Sequence, residues 1–174
     1  TDLIRHLGGR VRHFLPDRHS EGYGLTPAAL DRCLACGTPA LFITVDCGMG
    51  ATELLASLQA RGIRLLVTDH HTLAGSFPDD CIVVNPHRET MPSPMRYLCG
   101  AGVAFQLACA LVRQRGDKPG ERRRLSGWLE AVAIATVADV VPLLGDNRTL
   151  VAHGLRALNR KPRVGLGELM RKSG

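Results

Sequence analysis

Short apolar runs recur along this chain, and each stops at polar residues ahead of a stretch of helical length. Val11-Arg12-His13-Phe14-Leu15 stops at Pro16, Ala40-Leu41-Phe42-Ile43-Thr44-Val45 at Asp46, Arg64-Leu65-Leu66-Val67-Thr68 at Asp69, and Cys81-Ile82-Val83-Val84 at Asn85-Pro86. Near-continuous β-branched runs mark strands covered on both faces, and alternation with helices is the pattern of a parallel sheet. The expected fold class is therefore α/β, a mostly parallel sheet flanked by helices. The helical signals agree. Asp2 to Leu7 is closed by Gly8-Gly9, Thr26-Pro27 is an N-cap followed by a helix-starting proline, and the next two helices close at Gly37 and Gly62.

After residue 86 the pattern changes. A loop rich in Pro and Met leads to Gly100-Ala101-Gly102 and an apolar helix from Val103 to Val112. A basic linker centred on Arg122-Arg123-Arg124 follows, then an apolar helix from Trp128 to Ala138 that stops at Asp139, then short helices. The chain is thus read as an α/β part over residues 1–87 and a mainly helical part over 88–174. Charge divides in the same place: the first part holds 7 Lys/Arg against 9 Asp/Glu, the second 15 against 7. A net of +8 in the second part suits a polyanion such as nucleic acid, and equally suits a solvated basic surface.

Composition closes off other classes. The hydrophobic content is 45% over 174 residues, enough for a buried core without disulfide staples. No window reaches the roughly 18 consecutive apolar residues of a membrane span, and no signal segment opens the chain, so a cytoplasmic protein is expected. Cys33-x-x-Cys36 has no second pair at zinc spacing, and Cys81 and Cys109 sit in apolar runs where a free thiol behaves as a small hydrophobe.

In open parallel sheets ligands bind beyond the carboxyl ends of the strands. Here those ends carry Arg18, Asp46 and Asp69-His70-His71. Imidazole and carboxylate together suit manganese, zinc or iron, and carboxylates with water suit magnesium or manganese. An exposed turn with solvated histidines is the alternative for the tripeptide. Asp46 adds weight to the metal, because Cys47-Gly48 lets a ligand approach the backbone. Asp139, at the end of an apolar helix, needs a partner or a metal if buried, or makes a helix-terminal hydrogen bond.

Four segments occur here in the order seen in DHH-family phosphoesterases, which the chain resembles over nearly its whole length: Ile43-Thr44-Val45-Asp46-Cys47-Gly48, Val67-Thr68-Asp69-His70-His71, Gly100-Ala101-Gly102-Val103-Ala104-Phe105 and Thr136-Val137-Ala138-Asp139-Val140-Val141-Pro142-Leu143. Pro16-x-Arg18-x-x-Glu21-Gly22-Tyr23-Gly24-Leu25 resembles the RecJ-type branch, the bacterial single-strand-specific exonucleases. The resemblance implies a two-metal phosphodiesterase using Mn2+ or Mg2+. Asp46 resembles the carboxylate that bridges the ions, His70 and Asp139 terminal ligands of one ion, and His71 the residue facing the substrate phosphate. Asp69 is expected to orient the histidines from behind. Arg18 is a candidate phosphate or DNA contact. Gly100 and Gly102 either offer backbone amides to an anion or allow close packing.

The family carries an earlier Asp-x-Asp-x-Asp-Gly motif on its first strand, which this sequence lacks. The chain is therefore expected to be a partial DHH core with the first strand missing, open at the sheet edge there, and inactive alone. The implied activity is 5′ to 3′ hydrolysis of single-stranded DNA in repair and recombination, with a single-strand-binding protein or a helicase as further partners. Two other readings stay open: a DHH phosphodiesterase acting on small nucleotides or oligoribonucleotides, and a non-catalytic nucleic-acid-binding scaffold.

Overall fold

A computed structural model describes residues 1–73, 75–88, 93–116 and 119–173. The chain divides into two compact units, Thr1–Val84 and Asn85–Gly174. The first contains helix α1 (Asp2–His6), helix α2 (Pro27–Leu34), strand β1 (Leu41–Val45), helix α3 (Thr52–Ala60), and strands β2 (Arg64–Thr68) and β3 (Ile82–Val84). The strands form a parallel sheet in the order β1-β2-β3, with Leu41 opposite Arg64 and Val45 opposite Thr68. Parallel neighbours need a crossover, and α3 supplies it between β1 and β2.

Sequence chemistry accounts for these elements. The Thr26 hydroxyl accepts from the Ala29 amide at 3.2 Å, with Pro27 in the first turn, so α2 begins where its cap demands. Helix α3 turns Leu55 and Leu58 inward, and both are wholly buried against Leu30, Met49, Ile63, Leu65 and Val67. Each such leucine contributes about 1.5–3 kcal/mol of transfer free energy. That core is what holds the carboxyl ends of β1 and β2 level with each other.

One expected strand is absent. Residues 11–15 form no strand, although the run is apolar. A strand exists only by ladder hydrogen bonds to a neighbour, and among the described residues the sheet consists of β1, β2 and β3 alone. Side chains hold it instead: the Arg12 guanidinium donates to the carbonyls of Cys33 and Cys36 at 2.7 and 3.0 Å, and Arg32 sits 4.6 Å from the Phe14 ring centre. Strand β1 is consequently an edge of the described sheet.

The second unit is helical: a 3-10 turn at Ser93–Met95, then α4 (Gly100–Gln114), α5 (Pro119–Ser126), α6 (Leu129–Ala138), α7 (Gly145–Arg160) and α8 (Val164–Ser173). The expected basic linker is in fact α5. Arginine is a good helix former, and Pro119 stands at its first position. Part of the expected Pro- and Met-rich loop, residues 89–92, lies outside the described residues. Helices α6 and α7 approach closely at Gly154, where a β-carbon would collide with the Leu129 carbonyl and the Ala133 methyl. No described helix is long and apolar enough to cross a membrane.

Candidate metal centre

The register of β1 and β2 builds the site. Because Val45 lies opposite Thr68, the next residues, Asp46 and Asp69, emerge side by side at the carboxyl edge. The ladder runs one step further: the Asp46 amide donates to the Thr68 carbonyl at 2.9 Å, and the Asp69 amide to the Val84 carbonyl at 3.1 Å. The Thr68 hydroxyl also donates to the Thr44 carbonyl at 2.6 Å, pinning the two strand ends.

Beyond the ladder the chain must turn sharply. Asp46 takes the left-handed conformation at φ +62°, and Gly48 follows at φ +115°. Asp tolerates this region better than most side chains. A β-carbon on Gly48 would lie 2.8 Å from the Thr44 hydroxyl oxygen and 3.1 Å from a Val67 methyl, so glycine is required there twice over.

Asp69 is 1% exposed, and a buried carboxylate is costly unless donors surround it. They do. Oδ1 accepts from the His70 amide at 2.8 Å, the His71 amide at 3.3 Å and His71 Nδ1 at 2.6 Å, while Oδ2 accepts from the Met49 amide at 3.2 Å. An ionised carboxylate only accepts, so Nδ1 is the protonated nitrogen of His71, and Nε2 is the one that can meet a ligand. The two imidazoles lie 4.6 Å apart, and His70 Nε2 stands 3.1 Å from Asp46 Oδ1. Burial, with the Asp69 carboxylate adding to it, pushes the Cys47 thiol up from its ordinary value.

Asp46, Asp69, His70 and His71 thus place one ligand atom each within 4.8 Å of one another. The donor set is carboxylate oxygen and imidazole nitrogen with no thiolate, which fits a manganese-like ion. The residues present therefore suit a divalent metal.

The remaining expected site residues are carried by other segments. Arg18 is in the loop after residue 16, its guanidinium 4.9 Å from the Tyr23 ring centre. Asp139 belongs to the second unit as the C-cap of α6, its amide donating to the Ala135 carbonyl at 2.9 Å. Gly100 and Gly102 are buried, and a β-carbon on Gly102 would meet Leu98 at 3.0 Å, so close packing accounts for that glycine. Arg32 was invisible in the sequence as a determinant of the Arg18 loop. It forks onto Glu21, Nε to Oε1 and Nη2 to Oε2, each at 2.6 Å, and Glu21 Oε2 also accepts from the Asp17 amide at 2.6 Å. The spacing of 11 residues follows no local rule that would have flagged the pair.

A parallel sheet whose strand ends converge carboxylates and imidazoles on one point defines a metal-dependent class of the DHH type, and the chain belongs to the DHH family: the model of that family's N-terminal domain matches residues 1–136. The chain is 37% identical over 171 residues to the single-stranded-DNA-specific exonuclease RecJ of Bacillus subtilis, covering 98% of this chain and 20% of that protein. It also resembles a crystal structure of exonuclease RecJ bound to manganese, with TM-score 0.83 and 35% identity over 99% of this chain and 42% of that one. A crystal structure of RecJ from Thermus thermophilus in complex with Mn2+ matches with TM-score 0.75 and 32% identity, over 99% of this chain and 24% of that one. The chain spans about a fifth of the length of the Bacillus relative.

Proposed function

We propose that this chain forms the metal-binding core of a RecJ-type exonuclease that hydrolyses single-stranded DNA 5′ to 3′ in cytoplasmic repair and recombination. The observation that carries the reading is the 3.1 Å approach of His70 Nε2 to Asp46 Oδ1, with His71 fixed beside them by Asp69. The manganese found in the two related RecJ structures supports the same assignment here, with magnesium as the alternative ion.

In this reading Asp46, His70 and Asp139 would serve as ligands to divalent ions, and Asp69 fixes the tautomer of His71 from behind. A bound divalent ion supplies an activated water and neutralises charge at the phosphate. His71 presents Nε2 to the phosphate while Nδ1 stays on Asp69. Arg18, held against Tyr23, offers a guanidinium to the same anion or to the strand behind it. The exposed arginines 122, 123 and 124 on α5 add salt-sensitive affinity for the DNA backbone. A single-strand-binding protein or a helicase would supply the strand.

The test is Asp46→Asn in the full-length protein, which keeps the turn and removes the charge. Manganese-dependent release of nucleotides from long single strands should be lost, while wild-type turnover would sink the assignment. Preference for dinucleotides over long strands would instead favour a small-nucleotide phosphodiesterase.

A further inference from the structure

The turn that carries Asp139 is poorly supported by packing. Asp139 closes α6, and Val140 takes φ +55° with 86% of its surface exposed. A β-branched residue in the left-handed region costs about 1–2 kcal/mol and persists only where its surroundings hold it. Side-chain burial holds it only weakly, since Val141 is half-buried and Leu143 and Leu144 beyond it are exposed.

A buried amide holds it. Asn147, on the first turn of α7, is 1% exposed. Its Nδ2 donates to the Pro142 carbonyl at 2.9 Å and to the Tyr97 carbonyl at 2.6 Å, and its backbone amide donates to the Leu144 carbonyl at 3.1 Å. Both protons of one side-chain amide are thereby spent on main-chain carbonyls 45 residues apart in sequence, one of them three residues after Asp139. Gly145, at φ +50°, lets α7 start against Pro94, where a β-carbon would approach the Pro94 carbonyl to 3.2 Å. The turn after Asp139 is therefore fastened at Asn147.

We infer that Asn147 is a positioning residue for Asp139: its amide clamps the strained turn so that the carboxylate is set before any ion arrives. The inference rests on the reading of Asp139 as a metal ligand. A clamp of this kind acts on metal affinity, because loss of groups that orient ligands weakens binding about tenfold or more.

The test uses the full-length protein. Asn147→Ala and the milder Asn147→Ser, whose hydroxyl still reaches for one carbonyl, are titrated with manganese, free ion being read by electron paramagnetic resonance beside DNA hydrolysis. The manganese needed for half-saturation should rise about tenfold in Asn147→Ala and less in Asn147→Ser, with turnover at saturating metal near wild type. A purely structural role would lower turnover and leave metal affinity alone. Adding Val140→Gly, which accepts the left-handed turn without strain, should restore affinity in the Asn147→Ala background. Unchanged affinity in the folded variants, or a loss that Val140→Gly leaves untouched, overturns the proposal. Asp139→Asn separates the two layers: if it leaves manganese affinity intact the ligand reading itself fails, and if it weakens affinity while the Asn147 variants do not, only the clamp fails.

Discussion

Replacing Asp69 by asparagine removes one charge and leaves the shape of the site almost unchanged. In the native protein Oδ1 takes three donors and Oδ2 takes the Met49 amide. The asparagine oxygen keeps the three, so its NH2 group faces the Met49 N–H, donor against donor. One buried hydrogen bond to a charged acceptor is lost, worth about 1.5–3 kcal/mol, and the other three become neutral. About 2 kcal/mol lost from a cooperative unit of this size lowers that unit's own melting transition by about 4–8 °C, at roughly 2–4 °C per kcal/mol. Flipping the amide does not help, because NH2 would then face three donors. Asp69→Ala should cost more, since the Met49, His70 and His71 amides lose their shared acceptor in a buried place. Both variants should weaken manganese binding about 10–100-fold, because the turn that carries the proposed ligand His70 loses the charged acceptor on which its amide closes. Calorimetric melting and a manganese titration on the full-length protein check both numbers. A melting point within about 1 °C of wild type, together with unaltered metal affinity, would refute the assignment of Asp69 as the organising group.

Two further outcomes follow from the packing and the ion pair. Gly154→Ala should destabilise the helical unit by about 1–3 kcal/mol, because the new methyl meets the Leu129 carbonyl and the Ala133 side chain; an unchanged melting curve would show that α6 and α7 can separate at no cost. The forked Arg32 bond, then the Asp17 amide, hold the Glu21 carboxyl below its ordinary value of 4.5. Its contribution is therefore complete above pH 4.5 and disappears as pH falls through the lowered value. The stability gap between wild type and Glu21→Gln, measured by denaturant melts, should be full at about pH 6 and close progressively below 4.5. A gap that widens on acidification would contradict the sign.

All three strands of the described sheet, and the carboxylates at the ends of two of them, were legible because the information is local. Runs such as Leu41-Phe42-Ile43-Thr44-Val45 declare a covered strand, and whatever residue follows must emerge at the carboxyl edge. Residues 11–15 carry a similar run and misled, since apolarity says nothing about whether a neighbouring strand is there to bond. The arginines 122–124 misled in the opposite sense: charge suggested a linker, whereas α5 is held by helix propensity and a proline start. The family was legible from the DHH tripeptide and its companions in order, and the matches to RecJ proteins agree. Asn147 and Arg32 were not legible. Each works through partners fixed by the fold, a carbonyl 50 residues away for one and a carboxylate 11 away for the other.

The left-handed backbone at Asp46 narrows what that position can accept, in a way that no list of ligands would reveal. Under the proposed ligation a residue there carries an oxygen for a cation, and it must also settle at φ +62°, where most side chains meet their own backbone. Aspartate meets both demands. Asparagine meets the conformational one, glycine likewise without any donor, and glutamate offers the right chemistry on a backbone it does not favour. The alphabet at this site is thus cut down twice, once by coordination and once by torsion. Loss of function in Asp46→Ala or Asp46→Glu would mix those two causes, and only the asparagine variant isolates the charge.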